Sequence, residues 1–113
     1  MDFQEYHKVV NKLAQYPNIG DNLIYPALGL AGEAGEVVDK IKKLWRNQGI
    51  TMGSALMPLQ RADLIRELGD VLWYLDALAT EIHVSLEEVA ALNCDKLLDR
   101  NARGVVKSEG DNR

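Results

Sequence analysis

Residues 64–75 read Leu-Ile-Arg-Glu-Leu-Gly-Asp-Val-Leu-Trp-Tyr-Leu, a run that is apolar on almost every side when drawn as a helix. A helix of this kind is typical of a largely buried element. Burying an ionised carboxylate is very costly unless the group is paired or bound to a metal ion. The run therefore predicts a buried helix in which Glu67 and Asp70 have a specific partner.

Apolar residues recur at helical spacing through nearly the whole chain, and the sequence has no strand-like alternation of useful length. The pattern predicts helices over about 3–16, up to 46, 59–82 and 86–100, with a connecting loop at 47–58. The second helix begins either after Asp21 as its N-cap or with Pro26 in its first turn. The other boundaries rest on two capping-box patterns and one proline, namely Asp2 with Glu5, Ser85 with Glu88, and Pro17.

Length and charge narrow the class of protein. A chain of 113 residues is long enough for one domain, and four helices with short connections predict an all-α, four-helix-bundle-like fold. We place that domain at residues 1–100 and a polar tail at 101–113. With 13 basic against 17 acidic residues, the net charge of −4 argues against a nucleic-acid polymer as partner.

The sequence also predicts where the protein works. No apolar run approaches the roughly 20 residues that span a bilayer, and the N-terminus does not resemble a signal peptide. Cys94 is the only cysteine, so an internal disulfide is excluded, and we expect this residue in the core. These features predict a cytoplasmic protein that does not contact membranes.

A second acidic pair lies in residues 29–36, which read Gly-Leu-Ala-Gly-Glu-Ala-Gly-Glu. Three glycines within one helix cost about 2–3 kcal/mol relative to alanine, which predicts the close approach of another backbone or a ligand. Glu33 and Glu36 lie on one helix face, as do Glu67 and Asp70. Four carboxylates converging from two facing helices would need a hard divalent cation, and their oxygens suit Mg²⁺ or Mn²⁺.

Simpler arrangements of the same side chains remain open. Glu36 can pair with Lys40, which follows it by one helical turn. Asp63, Arg66 and Glu67 can form a solvated surface network. Either arrangement would satisfy the acids without a metal ion.

The histidines exclude another kind of metal site. Di-iron helical bundles use Glu-x-x-His pairs, whereas His7 and His83 each follow a glutamate by two positions. We therefore expect both histidines to be surface or packing residues.

The two acidic pairs and their surroundings resemble the MazG-like family of nucleoside triphosphate pyrophosphohydrolases. The hallmark of that family is Glu-x-x-Glu followed by Glu-x-x-Asp, here Glu33, Glu36, Glu67 and Asp70. The similarity covers roughly residues 20–113, and the spacer of 30 residues between the pairs makes the 47–58 loop hard to align. The resemblance implies hydrolysis of a (deoxy)nucleoside triphosphate between its α and β phosphates, with the four acids as catalytic, Mg²⁺-binding residues.

The resemblance also implies contacts of Asn93 and Lys96 on the fourth helix with metal, phosphate or sugar. Lys107 and Arg113 can approach phosphates if the polar tail closes over the site, and the tail can equally be disordered. Asn93 lies within the apolar stripe of the fourth helix, where an amide needs a partner. Lys96 and Arg100 can instead belong to a solvated helix face, and the aromatic residues can instead pack in a core or interface. The predicted substrate-binding residues are Asn93, Lys96, Tyr74, Trp45, Arg100, Lys107 and Arg113, and Phe3, Tyr6 and His7 can line a nucleobase pocket.

Several functions are compatible with this resemblance. The first is house-cleaning hydrolysis of unwanted or excess nucleotides, and the alternatives are a phosphoribosyl-ATP pyrophosphohydrolase and a noncatalytic, nucleotide-sensing helical module. A small bundle with long apolar helices also has little volume in which to bury both faces. We therefore expect a homodimer or homotetramer, with a nucleoside triphosphate as the small-molecule partner.

Overall fold

The computed structural model describes residues 1–104, and these residues form four α-helices and one short 3₁₀ turn. The helices are α1 (Phe3–Leu13), α2 (Ile24–Gln48), α3 (Pro58–Glu81) and α4 (Leu86–Ala102), and the 3₁₀ turn is Gly53–Ala55. No β-strand occurs in this range, so the prediction of an all-α fold with four helices is confirmed. None of the four helices is both long and apolar enough to cross a membrane.

A complete capping box begins α1. The Asp2 side chain accepts a hydrogen bond from the Glu5 amide at 2.8 Å, and the Glu5 side chain accepts one from the Asp2 amide at 3.1 Å. The helix ends at Leu13, three residues before the predicted Tyr16, because the backbone of Ala14 is extended. The capping prediction is thus confirmed, and the predicted end of the helix was too late.

The start of α2 has Pro26 in the first turn, where its missing N–H breaks no helical hydrogen bond. The helix begins at Ile24 with Leu23 at the N-cap position, and the side chain that accepts from its first amides is that of Asn22 instead of the predicted Asp21. The side-chain oxygen of Asn22 accepts hydrogen bonds from the Ile24 and Tyr25 amides at 3.0 and 3.2 Å. Asp21 was therefore the wrong choice of cap, by one position.

The remaining helix ends lie within two residues of their predicted positions. Pro58 occupies the first position of α3, where proline is favoured. At the start of α4, the Ser85 hydroxyl accepts a hydrogen bond from the Glu88 amide at 3.1 Å. The predicted loop at 47–58 contains the last residues of α2 and the 3₁₀ turn.

Two long antiparallel helices form the frame of the molecule. α2 and α3 pack along much of their length, whereas α1 and α4 make smaller contacts with α3. Lys40 lies opposite Asp63, and Gly29 lies opposite Tyr74, so the register rises along one helix as it falls along the other. Side chains between these two levels therefore face each other across the helix pair.

One side of α3 is left uncovered by the rest of the described chain. Ile65 and Leu68 are 56% and 55% exposed, so the expectation that α3 is largely buried is wrong for the single chain. The expectation that Cys94 is a core residue is also wrong, because residues 87–99 of α4 are exposed and α4 is buried mainly at its two ends. Among residues 1–104, the hydrophobic side chains that are buried are Val10, Ala77, Ala79 and Leu86.

A buried carboxylate at the end of α3 holds the segment that connects α1 to α2. Glu81 accepts hydrogen bonds from the Tyr16 hydroxyl and from the Gly20 and Asn22 amides, the last two at 2.9 and 3.1 Å. These donors, the Tyr16 hydroxyl first, hold the pKa of Glu81 below its usual value. One side chain of α3 therefore positions the connection that leads into α2.

Replacing Glu81 by alanine removes this acceptor and leaves the Tyr16 hydroxyl and two amides without their partner. We expect Glu81→Ala to lower the midpoint of urea unfolding clearly more than Asp95→Ala, which removes an exposed carboxylate of α4. Equal shifts of the two midpoints would contradict the role of Glu81.

Wild type and Glu81→Ala together test how the stabilisation by Glu81 depends on pH. Because the pKa of Glu81 is lower in the folded than in the unfolded state, its stabilisation is complete above the unfolded value of about 4.3. That stabilisation is lost as the pH falls through the folded value. The difference in unfolding free energy between wild type and Glu81→Ala should therefore shrink in acid.

Candidate functional site

Three carboxylates meet between α2 and α3. Glu33 comes from α2, Glu67 and Asp70 come from α3, and one oxygen from each lies within 4.8 Å of the others. Glu33 and Glu67 are half-buried, whereas Asp70 is exposed, so the group opens to solvent at Asp70. We call these three residues the carboxylate cluster.

Both desolvation and repulsion between like charges act on the carboxylates of this cluster. The pKa of Glu33 is raised, first by desolvation and then by the charges of Asp70, Glu67 and Glu36. Glu36 is exposed, and it lies on the next turn of α2, outside the cluster. Of the four acids that the sequence pattern joins, the structure brings three together and leaves the fourth beside them.

The donor set of the cluster fits a divalent cation. All the donors are carboxylate oxygens, which are the ligands that Mg²⁺ and Mn²⁺ prefer, and three of them can approach one ion. A cation there would also offset the repulsion among these carboxylates, which adds to desolvation in raising the pKa of Glu33. Glu33, Glu67 and Asp70 are thus the described residues best placed to hold a metal ion.

An ion-pair network across α2 and α3 borders the cluster. The Lys40 ammonium lies 2.7 Å from Asp63 Oδ2 and 3.1 Å from Glu67 Oε1, and Arg66 lies 3.5 Å from Asp63. The contact between Asp63 and Arg66, which belonged to the alternative left open above, is present, whereas Lys40 pairs across the helices instead of with Glu36. Spacing along one helix could not reveal this pairing, because Lys40 and Asp63 are 23 positions apart.

Of the three glycines of residues 29–36, Gly29 alone has a close neighbour among the described residues 1–104. A Cβ atom at Gly29 would overlap the ring of Tyr74, whereas Cβ atoms at Gly32 and Gly35 would meet open space. The close neighbour of Gly29 is thus a side chain, instead of the backbone or ligand that the sequence predicted. At Gly32 and Gly35 no backbone of the described residues approaches, and a ligand there stays a prediction. Burial raises the pKa of the Tyr74 hydroxyl, and Tyr25 and then the charge of Glu33 raise it further. The ring of Tyr74 therefore lies close to the carboxylate cluster.

Helix α1 brings two polar side chains onto α3. The Tyr6 hydroxyl donates to the Gly69 carbonyl at 3.5 Å, and burial, then Asp76, then Asp70 raise its pKa. His7 Nδ1 lies 2.9 Å from a carboxylate oxygen of Asp76, which is buried. The sequence prediction did not identify Asp76 as the partner of His7. Its position as the one acid within the otherwise apolar residues 75–79 indicated that Asp76 needs a partner.

The structure separates Trp45 from the aromatic residues near the cluster. Trp45 is 62% exposed and lies about 18 Å along α2 from Glu33.

Tyr16 and Tyr25 stack with their ring centroids 5.0 Å apart, and Tyr25 adjoins Tyr74. Helical spacing could not predict this stack, because Tyr16 lies in the connection between α1 and α2.

The predicted substrate contacts of α4 line a different groove. Asn93 and Lys96 face an apolar groove of about 630 Å³, together with Leu72 and Leu75 of α3. Those two leucines lie more than a third of a turn from Asp70 around the helix axis. Within one chain, Asn93 and Lys96 are therefore placed beside another face of α3, and their contact with substrate stays a prediction.

The last three predicted contacts have separate outcomes. Arg100 is 2% exposed, so it does not lie on the solvated helix face that the alternative interpretation described. Lys107 and Arg113 lie outside the described residues 1–104.

The fold and the site define a class, namely an all-helical domain in which two long antiparallel helices hold an acidic cluster. The family model described as MazG nucleotide pyrophosphohydrolase domain matches residues 26–105, which include most of α2 and all of α3 and α4. The chain belongs to the MazG nucleotide pyrophosphohydrolase family. The family predicted from the two acidic pairs is therefore confirmed.

Individual relatives agree with this membership. The chain is 40% identical over 113 residues to the Gene 37 protein of Mycobacterium phage L5, with 96% of each chain covered. It is 32% identical over 94 residues to the dCTP pyrophosphatase 1 of Rattus norvegicus and to that of Mus musculus. These matches cover 83% of this chain but only 46% of each pyrophosphatase. The comparison with solved structures found no match.

The contact between Gly29 and Tyr74 gives a test with a matched control. We expect Gly29→Ala to lower the free energy of unfolding by about 1–3 kcal/mol, because the added methyl group must displace the Tyr74 ring. Gly32→Ala adds the same methyl group in open space and should raise that free energy by about 0.5–1 kcal/mol. Urea unfolding measures both, and the same sign of change for both variants would contradict this packing.

Proposed function

We propose that the protein hydrolyses (deoxy)nucleoside triphosphates to a nucleoside monophosphate and pyrophosphate, using Mg²⁺ held by Glu33, Glu36, Glu67 and Asp70. The observation that carries the proposal is the convergence of Glu33, Glu67 and Asp70 from two helices in a member of the MazG family. Mn²⁺ should substitute for Mg²⁺, because both cations accept carboxylate oxygens as ligands.

The side chains of this site bind and orient the reacting groups. The bound cation supplies the positive charge that neutralises the triphosphate and favours ionisation of the attacking water. The exposed side of the cluster at Asp70 leaves the triphosphate a path from solvent. Tyr74 adjoins Glu33 and offers a ring on which a nucleobase can stack.

The substrate class follows from the family and from the named relatives. Because two of them are dCTP pyrophosphatases, dCTP is the first nucleotide to test, within a panel of canonical and modified deoxynucleotides. We assign the protein to removal of unwanted or excess nucleotides from the cellular pool. Asn93, Lys96, Arg100, Trp45, Lys107 and Arg113 stay its predicted further substrate contacts.

The activity is tested by incubating the protein with Mg²⁺ and each nucleotide, and by separating the products. We expect a monophosphate and pyrophosphate, with no orthophosphate. Glu67→Gln and Asp70→Asn should each lower the rate by about a hundredfold or more, because each removes a charge at the reacting centre. Asp21→Asn removes an exposed acid that precedes α2 and does not belong to the cluster, so it should leave the rate unchanged.

Three results would contradict the proposal. Nucleotide binding without release of pyrophosphate by a folded protein would favour the nucleotide-sensing module. Hydrolysis restricted to phosphoribosyl-ATP would favour the other pyrophosphohydrolase. Full activity of both Glu67→Gln and Asp70→Asn would show that the carboxylate cluster is not the site.

We also propose that the protein works as a homodimer or homotetramer. The radius of gyration is 17.0 Å, whereas a compact chain of this length has about 13 Å. The accessible surface of 8421 Å² is roughly a third larger than the value of about 6,200 Å² expected for a monomer of this mass. The exposed apolar side of α3, with Ile65 and Leu68, is the surface that a second copy would cover.

Sedimentation velocity tests this assembly. Wild-type protein should sediment as a dimer or tetramer, and Leu68→Asp should shift it to a monomer, because a charge would have to be buried in the interface. Asn11→Asp places the same charge on the exposed surface of α1 and should leave the assembly intact. A wild-type monomer at micromolar concentration would contradict the proposal.

A further inference from the structure

The side chain of Lys40 links the carboxylate cluster to a neighbouring acid. Lys40 lies on α2, one turn after Glu36, and its ammonium reaches across to α3. It contacts Asp63 Oδ2 at 2.7 Å and Glu67 Oε1 at 3.1 Å. The side chains of Lys40 and Glu67 are 30% and 18% exposed, so this contact is partly sheltered from solvent.

Glu67 therefore takes part in two arrangements at once. It supplies an oxygen to the cluster with Glu33 and Asp70, and it accepts a charged hydrogen bond from Lys40. A divalent cation in the cluster would be attracted by the same carboxylate and repelled by the ammonium beside it. Lys40 and the cation thus compete for Glu67.

Asp63 gives the ammonium a second position. It lies one turn before Glu67 on α3, outside the cluster, and it is the nearer of the two carboxylates to Lys40. The ammonium can therefore leave Glu67 and keep a full ion pair with Asp63.

Neighbouring lysines of α2 do not share this geometry. Lys42 and Lys43 both pair with Asp39 on their own helix, at 2.9 and 2.6 Å. Their side chains are more than half exposed, whereas that of Lys40 is not. Removal of Lys43 consequently changes the net charge of α2 as removal of Lys40 does, without removing a contact to the cluster.

From these contacts we propose that Lys40 is the internal counter-ion of the carboxylate cluster, and that a divalent cation displaces its ammonium from Glu67 and leaves it paired with Asp63 alone. This inference rests on the proposed function, because it takes the cluster to be the metal site. Lys40 is a positioning residue in this account. It neutralises part of the cluster in the absence of metal, and it lowers the affinity for the cation.

Binding of Mn²⁺ alone, followed by the electron paramagnetic resonance signal of free Mn²⁺, tests the inference without nucleotide or turnover. We expect Lys40→Met to bind Mn²⁺ about tenfold more tightly than wild type, because one positive charge near the ion is lost. Lys40→Arg keeps the positive charge, and Lys43→Met removes a positive charge that does not contact the cluster. Both variants should therefore bind Mn²⁺ within about twofold of wild type. Circular dichroism of each variant checks that the helices are intact.

A second readout concerns the protein without metal. Lys40→Met leaves the carboxylates of the cluster without their counter-ion, so its thermal midpoint should fall below that of Lys43→Met. Saturating Mn²⁺ should raise the midpoint of Lys40→Met by more than it raises that of wild type. A merely structural lysine would lower the midpoint without tightening the binding of Mn²⁺.

The outcomes separate this inference from the proposed function. Wild-type protein that binds no Mn²⁺ would overturn the metal site and the inference together. Binding of Mn²⁺ that is lost in Glu67→Gln but is the same in Lys40→Met and Lys43→Met would overturn the inference alone. Weaker binding by Lys40→Met would also overturn it, because the lysine would then assist the cation instead of opposing it.

Discussion

The antiparallel packing of α2 on α3 is the constraint on which the rest of the molecule depends. It brings Glu33 against Glu67 and Asp70, so that three carboxylates share a space of a few ångströms. Such a cluster opposes folding, because desolvation first and then the charges of the neighbouring acids raise the pKa of Glu33. A divalent cation bound between these carboxylates would relieve their repulsion. All three donors are carboxylate oxygens, which are the ligands that such a cation prefers.

The surroundings of the cluster tie the same helix pair together at two further levels. At one end, the ring of Tyr74 fills the space that a side chain at position 29 would occupy. At the other end, Lys40 bridges Asp63 and Glu67. Packing and charge therefore fix the register of the two helices on both sides of the acids. The remaining side of α3 is apolar and exposed, which is consistent with assembly of several copies around this helix pair.

The sequence predicted those features that depend on neighbouring positions along the chain. Helical periodicity located four helices, a capping box placed the start of α1, and i, i+3 spacing joined Glu67 to Asp70. Features set by contacts between helices were missed or misjudged. The partners of Lys40 lie on another helix, and the exposure of Leu68 depends on which helices cover α3, which local pattern does not state.

Diffraction from crystals grown with Mn²⁺ tests the central claim most directly, because the anomalous signal of that ion locates it without reference to activity. We expect an anomalous peak about 2.0–2.4 Å from carboxylate oxygens of Glu33, Glu67 and Asp70. Absence of a peak there, in crystals that bind Mn²⁺ elsewhere, would contradict the claim that the carboxylate cluster is the metal site.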